Sequence, residues 1–148
     1  MPQEILVRPF VRRDLDRIVA IERASFGKDA WPAELFLAYW RDTPELFFTA
    51  RLGRRMAGYS IAQTDWRGAG LESIAVDPLF RGQGIAQALL DTTIARLRFQ
   101  GIGSLRLMVS TTNEPALRFY QRSGFTRGRK VKGYYGRGRD AWRMRLKL

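Results

Sequence analysis

With 148 residues and neither cysteine nor histidine, the chain cannot build a disulfide framework, a Ser-His-Asp triad, a Cys-His pair or an ordinary zinc site. Its net charge of +12, from 26 Lys and Arg against 14 Asp and Glu, is heaviest between Arg118 and Lys147 and suits nucleic acid, a ribosome or a phosphorylated cofactor as well as a merely solvated surface. No stretch approaches the ~20 apolar residues of a membrane helix, and the opening "MPQEILVRPF" lacks the apolar run of a signal peptide, so one soluble, cytoplasmic domain over residues 1–148 is expected.

In chain order, "EILVRPF" predicts a first strand. A helix from Asp14 to Ser25 comes next, with Leu15, Ile18, Val19, Ile21 and Ala24 as its apolar stripe. Turn residues in "GKDAWPAELFLAYWRDTP" lead into a short helix from about Ala33 to Trp40. "LFFTARLGRRMAGYSIAQTD" predicts two strands joined at Gly53-Arg54. Leu71 to Val76 is a fourth strand, stopped by Pro78, and "RGQGIA" opens a helix from about Gly84 to Gln100 that buries Ile85, Leu89, Ile94 and Leu97. That junction leaves backbone N–H groups unpaired beside two glycines, which is a place for an anion. It lacks the third glycine of a dinucleotide fingerprint, and no G-x-x-x-x-G-K-[ST] loop is present.

The second half repeats the alternation. "SLRLMV" is a fifth strand. Asn113 caps the next helix, Glu114 supports its first turn, Pro115 is tolerated at its start, and Gly124 stops it after Ser123. "FTRGRKV" and "AWRMRLKL" pair as closing strands around "KGYYGRGRD". An α/β domain with a central sheet is the expectation.

These residues resemble the GNAT superfamily, the Gcn5-related N-acetyltransferases. "VDPLFRGQGIAQALL" fits the R/Q-x-x-G-x-G/A motif, "NEPALRFYQRSGF" is similar to the second signature, and "RRDLDRIVAIERASF" resembles the opening helix, so the likeness covers nearly the whole chain. The ribosomal-protein-alanine and other N-terminal protein acetyltransferases are the nearest branch. The resemblance implies the GNAT fold: a single domain with a mixed, mostly antiparallel sheet flanked by helices. It also implies acetyl-CoA as cofactor, with CoA as product, and no metal.

By the resemblance, the N–H groups of Gly82, Gln83, Gly84, Ile85, Ala86 and Gln87 hold the pyrophosphate, bordered by Arg81. Ile74, Ala75 and Val76 pair their backbone with the pantetheine arm as though it were an added strand. Asn113 contacts the cofactor near its bend, and Tyr120 reaches its sulfur as catalytic acid. Glu72, in "LESIAV", stands where some small-amine members carry their base. The ribosomal-protein acetyltransferases instead carry a glutamate on the fifth strand, and alignment through "NEPALRFY" puts Met108 there. Methionine cannot accept a proton.

"YYGRGRDAWRMRL" is similar to the ending of N-terminal protein acetyltransferases, matching at Tyr134, Tyr135, Asp140, Ala141 and Met144. "RASFGKDAWPAE" resembles their first substrate loop, which makes Phe26, Trp31 and Glu34 wall residues. The implied reaction is direct attack of an amine on acetyl-CoA, the acceptor being the α-amine of a protein N-terminus, a ribosomal protein among the candidates, with the basic surface against rRNA. Two alternatives stay open: a small-amine, polyamine or antibiotic acetyltransferase using Glu72, and a weakly active acetyl-CoA-sensing or nucleic-acid-binding module. No membrane partner is expected, and the oligomeric state is not given.

Overall fold

The computed structural model describes residues 3–148. Its elements are β1 (Ile5–Pro9), α1 (Leu15–Phe26), α2 (Ala33–Asp42), β2 (Phe47–Leu52), β3 (Arg55–Asp65), β4 (Gly68–Val76), α3 (Ile85–Phe99), β5 (Ser104–Ser110), α4 (Glu114–Arg122), β6 (Thr126–Val131) and β7 (Ala141–Lys147). The strands form one sheet in the order β1-β2-β3-β4-β5-β7-β6. β1–β2, β2–β3, β5–β7 and β6–β7 pair antiparallel, while β4–β5 is parallel through Ala69–Leu105 and Gly70–Arg106. The α/β class with a mixed, mostly antiparallel sheet is thus as expected. No helix among the described residues is long and apolar enough to cross a membrane.

The chain packs as two compact units. One comprises the described residues up to Gln63 with Leu71–Arg96, the other Thr64–Gly70 with Leu97–Leu148. In the first, β2 is buried on both faces because alternate strand residues point to opposite sides. Phe47 joins Phe10, Ile18, Ile21, Phe36 and Tyr59 in one cluster, its ring stacked on Phe10 at 4.2 Å. Phe48 joins Ala50, Ala57, Phe80, Ile85 and Leu89 in another. All four apolar positions expected to be buried on α3 are buried.

Gly58 on β3 marks a close approach. A Cβ there would lie 2.7 Å from the carbonyl oxygen of Ala75 and 3.1 Å from Ile85 Cγ2. Backbone cannot yield as a side-chain tip can. Gly58→Ala is expected to cost about 1–3 kcal/mol through overpacking, read as a lower denaturation midpoint with an unchanged slope. Wild-type stability in the variant would contradict this.

One strand start and one buried position differ from expectation. β4 begins at Gly68, not Leu71. Its start is set by pairing with β5 and by close packing, since a Cβ at Gly68 would meet Ser104 Oγ at 2.6 Å. On α1, Ala24 is exposed and Glu22 takes a buried place. A short 3-10 turn, Arg12–Asp14, precedes α1, where buried Asp14 accepts the Val11 N–H at 3.2 Å and pairs with Arg51 at 2.9 Å.

In the second unit, α4 buries Leu117 and Tyr120, and β5 and β7 contribute Leu105, Leu107, Val109, Ala141 and Met144 to its interior. β6 lies at the sheet edge, exposed along nearly its whole length.

Candidate active site

The β4–α3 junction belongs to the first unit. Asp77 ends β4 and organises the turn into α3. Its N–H donates to the Ala57 carbonyl at 2.7 Å, and its Oδ1 accepts the Leu79 N–H at 2.9 Å. Its other oxygen pairs with Arg17, whose guanidinium also donates to the Met56 carbonyl at 3.1 Å. The Leu79 N–H and then Arg17 hold the Asp77 carboxyl below the usual carboxylate range.

The loop then turns through Gly82 at φ +77° and Gly84 at φ +86°, both in the left-handed region that side chains disfavour. Arg81, Gly82, Gln83 and Gly84 are exposed, and a Cβ at Gly82 would meet nothing within 4 Å. The Gly84 carbonyl accepts the Ala88 N–H at 3.0 Å, so the 15-residue helix takes its first turn directly from this loop. Ile85 is buried under that turn, whereas Ala86 is half-buried and Gln87 exposed. Open space, two left-handed glycines and a helix N-terminus fit a pyrophosphate. Upstream on β4, Ala75 is buried, Ile74 and Val76 are half-buried, and Glu72 is exposed.

Glu22 is a residue the sequence reading missed. It is 1% exposed and accepts the Tyr59 hydroxyl and, at 2.8 Å, the Trp31 N–H. Tyr59 also meets Ser73 Oγ at 3.2 Å. The carboxylate therefore ties the α1–α2 loop to β3 and β4. Its place four residues after buried Ile18 was the available signal. Trp31 itself is half-buried, stacked on Tyr39 at 5.3 Å, while Phe26 and Glu34 are exposed on the same loop and the first turn of α2.

Burial raises the Glu22 pKa more than its two hydrogen bonds lower it. The folded state therefore keeps this proton to higher pH than the unfolded chain, and the associated stability is lost as pH rises from the ordinary carboxylate value through the raised one. Glu22→Gln removes the titration, so the Tm of wild type minus that of the variant should fall as pH rises above the ordinary carboxylate value. A constant difference would contradict this.

The second unit holds the other residues singled out. Asn113 caps α4, its Oδ1 accepting the Ala116 N–H at 3.2 Å. Tyr120 is 8% exposed, its ring 5.2 Å from Phe119 and 5.6 Å from Phe125. Its hydroxyl has no hydrogen-bond partner among the described residues. Burial, and secondarily Tyr135, pushes its pKa well above the ordinary tyrosine value, so the hydroxyl holds its proton.

The β6–β7 loop is internally braced. Asp140 accepts the Gly133 N–H at 2.9 Å, and Tyr135 and Arg139 are joined by a backbone bond at 3.0 Å. The Tyr135 hydroxyl donates to the Met108 carbonyl at 3.3 Å, and its pKa is pushed up to about 12, chiefly by burial. Tyr134 packs edge-on against it at 4.9 Å and remains 52% exposed.

The chain is similar to known proteins. The acetyltransferase (GNAT) family model matches residues 14–125. An uncharacterized N-acetyltransferase of Methanocaldococcus jannaschii is 34% identical over 143 residues, which cover 93% of this chain and 88% of that protein. The N-alpha-acetyltransferase RimI of Mycobacterium tuberculosis is 30% identical over 149 residues, covering 97% and 92%. Ard1 from Thermoplasma volcanium matches with a TM-score of 0.92 at 28% identity over 97% of each chain. The chain belongs to the acetyltransferase (GNAT) family and is an N-acetyltransferase.

Proposed function

We propose that this enzyme acetylates the α-amine of protein N-termini, a ribosomal protein among the candidate acceptors, as a single catalytic domain in the cytoplasm. The observation that carries this reading is the braced β6–β7 loop, in which Asp140 holds Gly133, and Tyr135 is fixed to the carbonyl of Met108. It supplies two tyrosines, one anchored and one exposed, to lie along a peptide backbone. The relative named N-alpha-acetyltransferase supports the same class of acceptor.

Acetyl-CoA, when bound, supplies an acetyl group activated as a thioester that an uncharged amine can attack directly. The chain's own part is to bind, orient and manage protons. In this reading, the N–H groups of Gly82 to Gln87 hold the pyrophosphate with Arg81 beside it. The backbone of Ile74, Ala75 and Val76 takes the pantetheine arm, and Asn113 has its amide N–H₂ left for the cofactor while its oxygen caps α4. Tyr120 keeps a proton ready for the leaving sulfur. Phe26, Trp31 and Glu34 of the first unit, and Tyr134 and Tyr135 of the second, are the residues assigned to the acceptor.

No carboxylate stands at Met108, so the acceptor must deprotonate readily or use Glu72 through water. An α-amine, with pKa ≈ 7.7–8.0, is about one-tenth neutral at pH 7, whereas a lysine at ≈ 10.4 is neutral in only about one molecule in 2,500. The test is CoA release with free-α-amine peptides, Nα-blocked lysine peptides and spermidine from pH 6 to 10. For α-amine peptides kcat/KM should rise tenfold per pH unit and level off near pH 8. Turnover confined to spermidine, or to lysine peptides with a rise continuing toward pH 10, would refute the reading.

A further inference from the structure

The net charge is not spread evenly. Residues 64–70 and 97–148 carry 14 Lys and Arg against only Asp65, Glu114 and Asp140, so +11 of the +12 resides in the second unit. Part of it forms a regular line. Arg143, Arg145 and Lys147 alternate along β7, so their side chains share one face of the strand, about 7 Å apart. All three are exposed, and among the described residues none makes an ion pair.

The neighbours on β5 give the line a direction. Arg143 lies directly opposite Met108, and Arg145 opposite Arg106. Directly opposed residues on paired strands project to the same side, with Cβ atoms about 5 Å apart. Like charges so placed destabilise a sheet, and Arg106 is relieved by its pair with Asp65. No such relief exists for Arg143, Arg145 or Lys147. Arg143 therefore sits beside Met108, whose carbonyl anchors Tyr135. The line runs from that point down β7.

We propose that Arg143, Arg145 and Lys147 form a specificity track for an acidic acceptor, a protein N-terminus whose first residues after the α-amine carry carboxylates. This rests on the reading that the acceptor end lies at Met108 and Tyr135. The guanidinium of Arg143 repels an ammonium and attracts a carboxylate, so it disfavours lysine-rich or polyamine acceptors and holds an acidic segment. The α-amine tolerates this neighbour better than lysine, because it is deprotonated at lower pH. A carboxylate supplied by the acceptor replaces the intramolecular partner that the line lacks.

The experiment compares peptides with the same first residue and a free α-amine, followed by three Asp, three Ser or three Lys residues. It is run on wild type, Arg143→Glu, the milder Arg143→Gln, and Arg98→Glu, which makes the same charge change on exposed α3 surface. Wild type should favour the Asp peptide over the Ser peptide at least tenfold in kcat/KM, through KM, with the ratio shrinking as salt rises. Arg143→Gln should erase most of that preference, Arg143→Glu should reverse it toward the Lys peptide, and Arg98→Glu should leave it intact. Equal use of Asp and Ser peptides by wild type, or a preference untouched by both Arg143 variants, overturns the track while leaving α-amine acetylation standing. Failure of every free-α-amine peptide overturns the proposed function and the track together.

Discussion

Tyr120→Phe should lower kcat by about 100-fold, the lower end of what a positioned proton donor contributes, while leaving acetyl-CoA affinity and thermal stability close to wild type. The substitution removes one oxygen and keeps the ring, so the contacts with Phe119 and Phe125 survive. Because the hydroxyl has no partner among the described residues, its loss strands no buried group. That separates this position from Tyr59, whose hydroxyl is committed to Glu22 and Ser73. A thiol of the cysteine kind ionises near pH 8.5 and tyrosine ordinarily near 10. Burial moves Tyr120 higher still, so it stays protonated over the working range and its O–H is available as a hydrogen-bond donor to a departing sulfur. Rates should therefore show no fall up to pH 9 that belongs to Tyr120. Stopped-flow turnover alongside calorimetric acetyl-CoA binding reads both halves. Unchanged turnover in the variant would remove Tyr120 from the acid role.

The second large effect concerns the cofactor. Gly84→Ala should weaken acetyl-CoA binding at least tenfold. With φ at +86°, an alanine there meets the left-handed penalty of about 1–2 kcal/mol. The new Cβ makes only ordinary contact, 3.6 Å from Ile5 Cδ1, so the strain is in the backbone. Relaxing it turns the loop's N–H groups away from a bound pyrophosphate. Gly101 provides the control, with φ at +77°, no atom within 4 Å of its added Cβ, and a position at the other end of α3. Gly101→Ala should lose similar stability and keep cofactor affinity. Equal loss of affinity in both variants would mean that the effect is global.

Much of this was legible from local chemistry. The hairpin at Gly53-Arg54, the cap at Asn113 and the glycine junction at Arg81–Ala86 each depend on residues within a few positions of one another. What escaped depends on distant partners. Glu22 finds Tyr59 37 positions away, and only a tertiary contact makes a carboxylate welcome on an apolar stripe. Asp14 is buried because Arg51 reaches it from β2. The fourth strand is expected to start at Leu71, yet β4 starts at Gly68, where a Cβ would lie 2.6 Å from Ser104 Oγ on the neighbouring strand. Cross-strand register likewise places Arg143 beside Met108, and nothing in either segment alone announces that pairing.

The central claim, transfer to the α-amine of a peptide chain, is tested most directly with one peptide that carries both a free α-amine and an internal lysine. After incubation with the enzyme and acetyl-CoA at pH 7, fragmentation mass spectrometry locates the acetyl group. The account predicts acetylation of the α-amine with the lysine left free. Acetyl on the lysine side chain, with the α-amine untouched, would contradict it.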